Sequence, residues 1–214
     1  MPELFARRAF GIVIFLFSIV AHEVAHGWVA RRFGDHTAEK SGRLTLNPLP
    51  HIDLFGSILL PFLLIASGSP IVLGWAKPVP VNPLNFSNIK KGELFVSAAG
   101  ILTNFALATL AAILFHILNA LPQQIPTNVG YFLIDLVGIN LLLGVFNLFP
   151  IPPLDGSKVL LSQLPYKLAK EYEKLERYGF LILLIFMMIP FGNGSLLQTI
   201  LGFVVGLLSR LLGF

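Results

Sequence analysis

The chain has 214 residues, of which 55% are hydrophobic and only 12% charged, and its mean hydropathy is +0.79. So few charges exclude a water-soluble domain and indicate a polytopic membrane protein. The apolar content runs the whole length, so residues 1–214 are read as one membrane-embedded domain. Cysteine is absent, which rules out disulfides and thiolate metal sites, and a net charge of +4 fits positive residues at a cytoplasmic face, not nucleic-acid binding.

Apolar stretches fall at residues 9–30, 52–74, 94–119, 131–149, 179–189 and 196–213. Roughly 20 apolar residues cross a bilayer as a helix, which predicts an all-α protein with about five to six membrane helices. Arg7 and Arg8 precede the first stretch as in a signal peptide, but cleavage there would discard the histidines at its end, so a retained helix is expected. Loops 120–130 and 190–194 carry no charge, whereas 31–43, 75–92 and 157–177 are rich in Lys and Arg, which places the latter three in the cytoplasm. Both ends of 52–74 then lie inside. With Pro61 in its middle and Gly68 and Pro70 near its end, that stretch is expected to be re-entrant, with the N-terminus outside. Prolines between residues 74 and 84 exclude a helix, and the alternation of Val79 and Val81 suggests an extended segment or hairpin. The fifth stretch continues backward through an amphipathic segment from Tyr166 to Tyr178, which suggests one long helix emerging from the interface.

The first stretch ends in His22-Glu23-Val24-Ala25-His26. Histidines four apart project about 40° from each other on a helix, near enough to share one zinc ion, with Glu23 beside them to take a proton from water. Histidine and glutamate are unfavourable in hydrocarbon unless they serve a site, so the motif points to peptide-bond hydrolysis inside the membrane. Zinc needs a third protein ligand and an open position. Three prolines break the fourth stretch within Asn147-Leu148-Phe149-Pro150-Ile151-Pro152-Pro153-Leu154-Asp155-Gly156 and aim Asp155 into the bundle, which makes Asp155 the choice for that ligand.

HEVAH together with N-x-x-P-x-x-P-x-D-G resembles the site-2 proteases, the intramembrane zinc metalloproteases, and in particular their compact prokaryotic members without PDZ or CBS domains. Supporting stretches are Gly42 to Pro48, Gly74 to Pro83 and Leu175 to Phe180. The resemblance implies one zinc per chain held by His22, His26 and Asp155, Glu23 as general base, and Asn147 as a group that binds the substrate backbone or the oxyanion. It further implies single-span membrane proteins or signal-peptide remnants as substrates. The location it implies is the prokaryotic cell membrane, with a multi-pass chain in the bilayer and the active site toward the cytoplasm. Gly100 and Asn104 occupy a family Gly-x-x-x-Asn-like position, although the usual Gly-Pro pair is here Gly100-Ile101.

Gly100 and Asn104 otherwise read as packing positions, Asn104 and Asn140 as a pair between neighbouring helices, and His116 and Asp135 as interfacial. His51 and Asp53 follow Asn47-Pro48 and are read as turn and membrane-surface residues. Lys167 to Arg177 reads as a solvated helix face. The extended Val79-Pro80-Val81 segment is placed to pair with an unwound substrate strand. Rival functions are a metal-handling membrane transporter using the same ligands and an inactive homologue that binds membrane helices. The retained Glu23 speaks against the second.

Overall fold

The computed structural model describes residues 2–67, 74–123, 125–192 and 194–214. Its helices are α1 (Pro2–Arg32), α2 (Thr37–Lys40), α3 (Leu60–Ala66), α4 (Ile89–Ala120), α5 (Thr127–Leu148), α6 (Asp155–Gln163), α7 (Tyr166–Glu173), α8 (Gly179–Met188) and α9 (Leu196–Leu211). Among the described residues three helices are long and apolar enough to cross a membrane: Phe10–Arg32 within α1, α4 and α5. The last two apolar stretches yield shorter helices, α8 with 10 residues and α9 with 16. The expected long helix from Tyr166 is instead broken. Tight turns from residue 174 and a 3-10 turn over Glu176–Tyr178 separate α7 from α8, and Pro190 ends α8.

The three long helices pack on one another, with α4 in the middle. On α1 the buried residues Ile14, Ser18, His22, His26 and Ala30 recur every fourth position, so one stripe faces the bundle. The outward sides are apolar: Ile12, Val13 and Phe17 on α1 and Leu102, Leu110 and Ile117 on α4 are all exposed. The polar side chains Ser18, Asn104 and Asn140 have no accessible surface at all. This inside-out distribution of polarity suits hydrocarbon as the surrounding medium. Between α4 and α5 the core is Ala108, Ala111 and Ala112 against Leu133, Val137 and Leu141, and α9 lays Val205 and Leu208 over it. Small alanines let the two helices approach closely.

Residues 54–66 form a π-helical turn (Leu54–Leu59) followed by α3. At about 1.5 Å per residue this is roughly 20 Å, short of the hydrocarbon thickness of about 30 Å. Gly68 and Pro70 lie outside the described residues, as do the side chains of Arg7 and Arg8. Beyond that gap the chain is back where it left: the Trp75 N–H donates to the Gly56 carbonyl at 3.1 Å, and the Ser57 hydroxyl to the Trp75 carbonyl at 2.7 Å. Residues 74–82 run extended without forming a ladder. The paired strands sit elsewhere, β1 (Pro190–Phe191) against β2 (Gly194–Ser195), joining α8 to α9.

Ala108 has no accessible surface in the α4–α5 contact. Ala108→Leu overpacks that contact and is expected to destabilise the protein by about 1–3 kcal/mol, measured by denaturant unfolding in detergent micelles.

Candidate metal centre

α1 brings His22 and His26 to the face it shares with α4, and both are buried, at 7% and 8% exposure. Glu23 projects beside them, and one ligand atom from each of these three residues lies within 4.8 Å of the others. Asp155 arrives from the first turn of α6. Gly156 is what lets that turn close on α5, since any Cβ there would strike the Leu148 and Phe149 carbonyls. As a result Asp155 Oδ2 lies 3.0 Å from His22 Nε2 and 3.1 Å from His26 Nε2, and the two Nε2 atoms are 3.0 Å apart.

The proton positions follow from a backbone carbonyl. Asn140 donates through Nδ2 to the Leu136 carbonyl and to Ser18 Oγ, each at 2.9 Å, so its Oδ1 faces Asn104 and accepts from Asn104 Nδ2 at 2.9 Å. Asn104 therefore turns its own Oδ1 to His22 Nδ1 at 2.7 Å, and that ring nitrogen must carry the hydrogen. His26 Nδ1 likewise donates to the Val96 carbonyl at 2.6 Å. In their neutral form both rings thus present bare Nε2 atoms to each other and to the buried Oδ2 of Asp155.

Three acceptors this close repel one another unless a cation stands among them. Two imidazole nitrogens and a carboxylate oxygen are a zinc donor set. In a tetrahedral site with bonds of about 2.0–2.1 Å, ligand atoms stand about 3.3 Å apart, close to the edges seen here. Gly100 on α4 leaves room for it, because a Cβ at that position would lie 2.5–2.6 Å from ring atoms of both histidines. The residues fit the metal.

A cavity of about 680 Å³ opens from this point, and His22, Glu23, His26, Asn147 and Asp155 all line it. The five residues singled out in the sequence therefore meet in one place. Asn147 donates one Nδ2 hydrogen to the Leu143 carbonyl at 3.1 Å. The Val79 N–H donates to Glu23 Oε2 at 2.8 Å, fixing the carboxylate from the side of the extended segment. That donor is consequently unavailable for pairing with a substrate strand. Trp75 and Lys77 donate into the protein as well, to Gly56 and His51, while Pro78 and Pro80 on the alternate edge have no N–H.

Asn104 and Asn140 pair as the sequence suggests, but Asn104 also orients a ligand ring, and Gly100 is a floor of the site besides a packing position. Ser18 and the Val96 carbonyl escape a reading that looks for metal-binding side chains. Ser18 left one signal, its place four residues before His22 on the same helix face. His116 is exposed and bonds the Leu212 carbonyl, away from the site. Asp53 caps a turn by accepting from the Gly56 N–H. His51 also holds a turn, through Thr45, but at 1% exposure it is not a membrane-surface residue: the returning 75–77 segment covers it.

Comparison with known proteins agrees with this geometry. Residues 116–190 match the description "Peptidase family M50". The chain is 36% identical to "Putative zinc metalloprotease YwhC" of Bacillus subtilis (strain 168), over 85% of this chain and 81% of the relative. It is 32% identical to "Putative zinc metalloprotease Rip2" of Mycolicibacterium smegmatis, covering 83% and 66%, and 30% identical to "Putative zinc metalloprotease MJ0611" of Methanocaldococcus jannaschii, covering 73% and 75%. No solved structure matches the chain.

Asn104→Ala removes the acceptor of the His22 N–H and is expected to weaken zinc binding by about 10–100-fold, measured by competition with a chromogenic chelator. Gly100→Ala, which sets a methyl group against both rings, is expected to abolish stoichiometric zinc in the same assay.

Proposed function

Because the chain belongs to peptidase family M50, the site-2 protease family of zinc metalloproteases, we propose that it hydrolyses peptide bonds within the membrane-spanning segments of other proteins. The observation that carries this reading is the convergence of His22, Glu23, His26, Asn147 and Asp155 on one cavity among helices with apolar outer faces. His22, His26 and Asp155 would hold the zinc, which would supply Lewis acidity to water and to the scissile carbonyl. Glu23 accepts a proton from the attacking water and passes it to the departing amine, so one water is consumed and a new carboxyl and amino terminus appear. Its Oε2 is held by the Val79 N–H, which leaves the carboxylate fixed toward the cavity. Asn147 keeps a second Nδ2 hydrogen beyond the one given to Leu143, and that hydrogen serves the oxyanion.

The substrates are single-span membrane proteins or signal-peptide remnants, and the protein resides in the prokaryotic cell membrane with this cavity toward the cytoplasm. Clusters of Lys and Arg in 31–43, 75–92 and 157–177 support that orientation. The return of Trp75 to Gly56 supports a re-entrant excursion for residues 52–74. Among the described residues no second cluster of metal-binding side chains gathers, which speaks against a transport path for zinc.

Glu23→Gln keeps the shape of the side chain and removes the base. It is expected to lower cleavage of tagged single-span proteins in liposomes by at least about 100-fold while zinc content stays at the wild-type level. Equal cleavage by the variant, or products cut outside the span, would refute the reading.

A further inference from the structure

Asp35 is the one carboxylate of the described residues that is wholly buried outside the metal centre, with no accessible surface, and no cation pairs with it there. It follows α1 directly, after Gly34, whose φ of 101° turns the chain out of the helix. Its oxygens take hydrogen bonds from the Thr37 N–H and hydroxyl on one side. From the other side they take the Asn82 N–H at 2.7 Å and Asn85 Nδ2 at 2.8 Å. Burial pushes the carboxyl up, but the bonds from Thr37, Asn82 and Asn85 outweigh it and hold Asp35 below its ordinary value, so it is ionised at neutral pH.

Asn82 lies three residues from Val79, whose N–H holds Glu23. Between them and just beyond stand Pro78, Pro80 and Pro83, each with φ fixed near −65°. The segment is therefore stiff, and where its Asn82 end is held determines where the Val79 N–H falls. The other anchors of this segment, the Lys77 N–H on the His51 carbonyl and Arg43 Nη1 on the Lys77 and Pro78 carbonyls, sit on the far side of Val79. A charge buried at the foot of α1 thus grips one end of a rod whose middle touches the same helix three turns earlier.

We propose that Asp35 is a positioning residue for the reaction: by clamping Asn82 and Asn85 it seats the Val79 N–H on Glu23 and so aims the general base. The inference rests on the proteolytic reading above. None of its contacts reaches His22, His26 or Asp155, so its removal is expected to spare zinc.

The test compares purified wild type with Asp35→Asn, Val79→Pro and the double variant in liposomes, on a panel of tagged single-span membrane proteins. Asp35→Asn offers an amide to donors that need an acceptor, and Val79→Pro deletes the N–H while keeping the extended backbone. Each is expected to lower kcat by about 10–100-fold with KM and bound zinc unchanged, and the double variant to be no slower than the slower single one. Hydrogen exchange on the same samples is expected to quicken at residues 77–82 in Asp35→Asn while α1 and α4 stay protected. Asn85→Ala, which removes a single donor, repeats the measurement in a milder form should Asp35→Asn fail to fold. A wild-type kcat in Asp35→Asn, multiplicative losses in the double variant, or loss of zinc with exchange rising throughout would overturn the inference. Absence of cleavage by wild type would instead overturn the proteolytic reading, with exchange at 77–82 still reporting whether Asp35 holds the segment.

Discussion

Electrostatic repulsion among three acceptors, two ring nitrogens and a carboxylate oxygen within 3.0–3.1 Å, is the constraint around which this protein is arranged. A bound cation offsets that repulsion, and each neighbouring feature serves to keep the three atoms gathered. Asn104 and the Val96 carbonyl hold the rings by their far nitrogens, Gly100 keeps the space open, and Gly156 allows α6 to bring in the carboxylate. A metal site is only as definite as the partners that orient its ligands. Here that orientation is traceable through Asn104 and Asn140 to the Leu136 carbonyl, a group that no side-chain substitution can turn around.

The same chain of amides also fixes the bundle. Ser18, Asn104 and Asn140 come from α1, α4 and α5 and satisfy one another away from any water. In hydrocarbon the hydrophobic effect does not drive helices together, so close packing of small residues and interhelical hydrogen bonds must hold and register them. The alanines of α4 supply the first and this triad the second. Stability and ligand orientation therefore share residues, and a change at Asn140 alters both.

The candidate site was legible because its side chains are out of place in lipid: His22, Glu23, His26 and Asp155 stand out against their apolar surroundings, and the prolines before Asp155 announce a break. The long helices were legible for the complementary reason, since α1, α4 and α5 come from uninterrupted apolar runs. What stayed hidden depends on backbone groups and on contacts distant in sequence. The Val79 N–H on Glu23 spans 56 residues and involves no conspicuous side chain. Asp35 looks like an ordinary turn aspartate until Asn82 and Asn85 fold over it, and His51 looks like a surface residue until the 75–77 segment returns to cover it. The break between α7 and α8 was hidden too, because Lys174 to Arg177, where it begins, are all good helix formers.

The prolines of the 75–81 segment have a consequence beyond stiffness. An extended strand at the rim of a membrane protein is ordinarily a template on which another chain, including a second copy, can add itself edge to edge. Here the inner edge is spent on Gly56, His51 and Glu23, while from Pro78 to Pro80 the outer edge has no N–H and its Pro78 carbonyl already accepts from Arg43. Two such edges brought together would face oxygen with oxygen. The protein thus keeps beside its candidate metal centre an extended segment that is poorly suited to aggregation with its own copies.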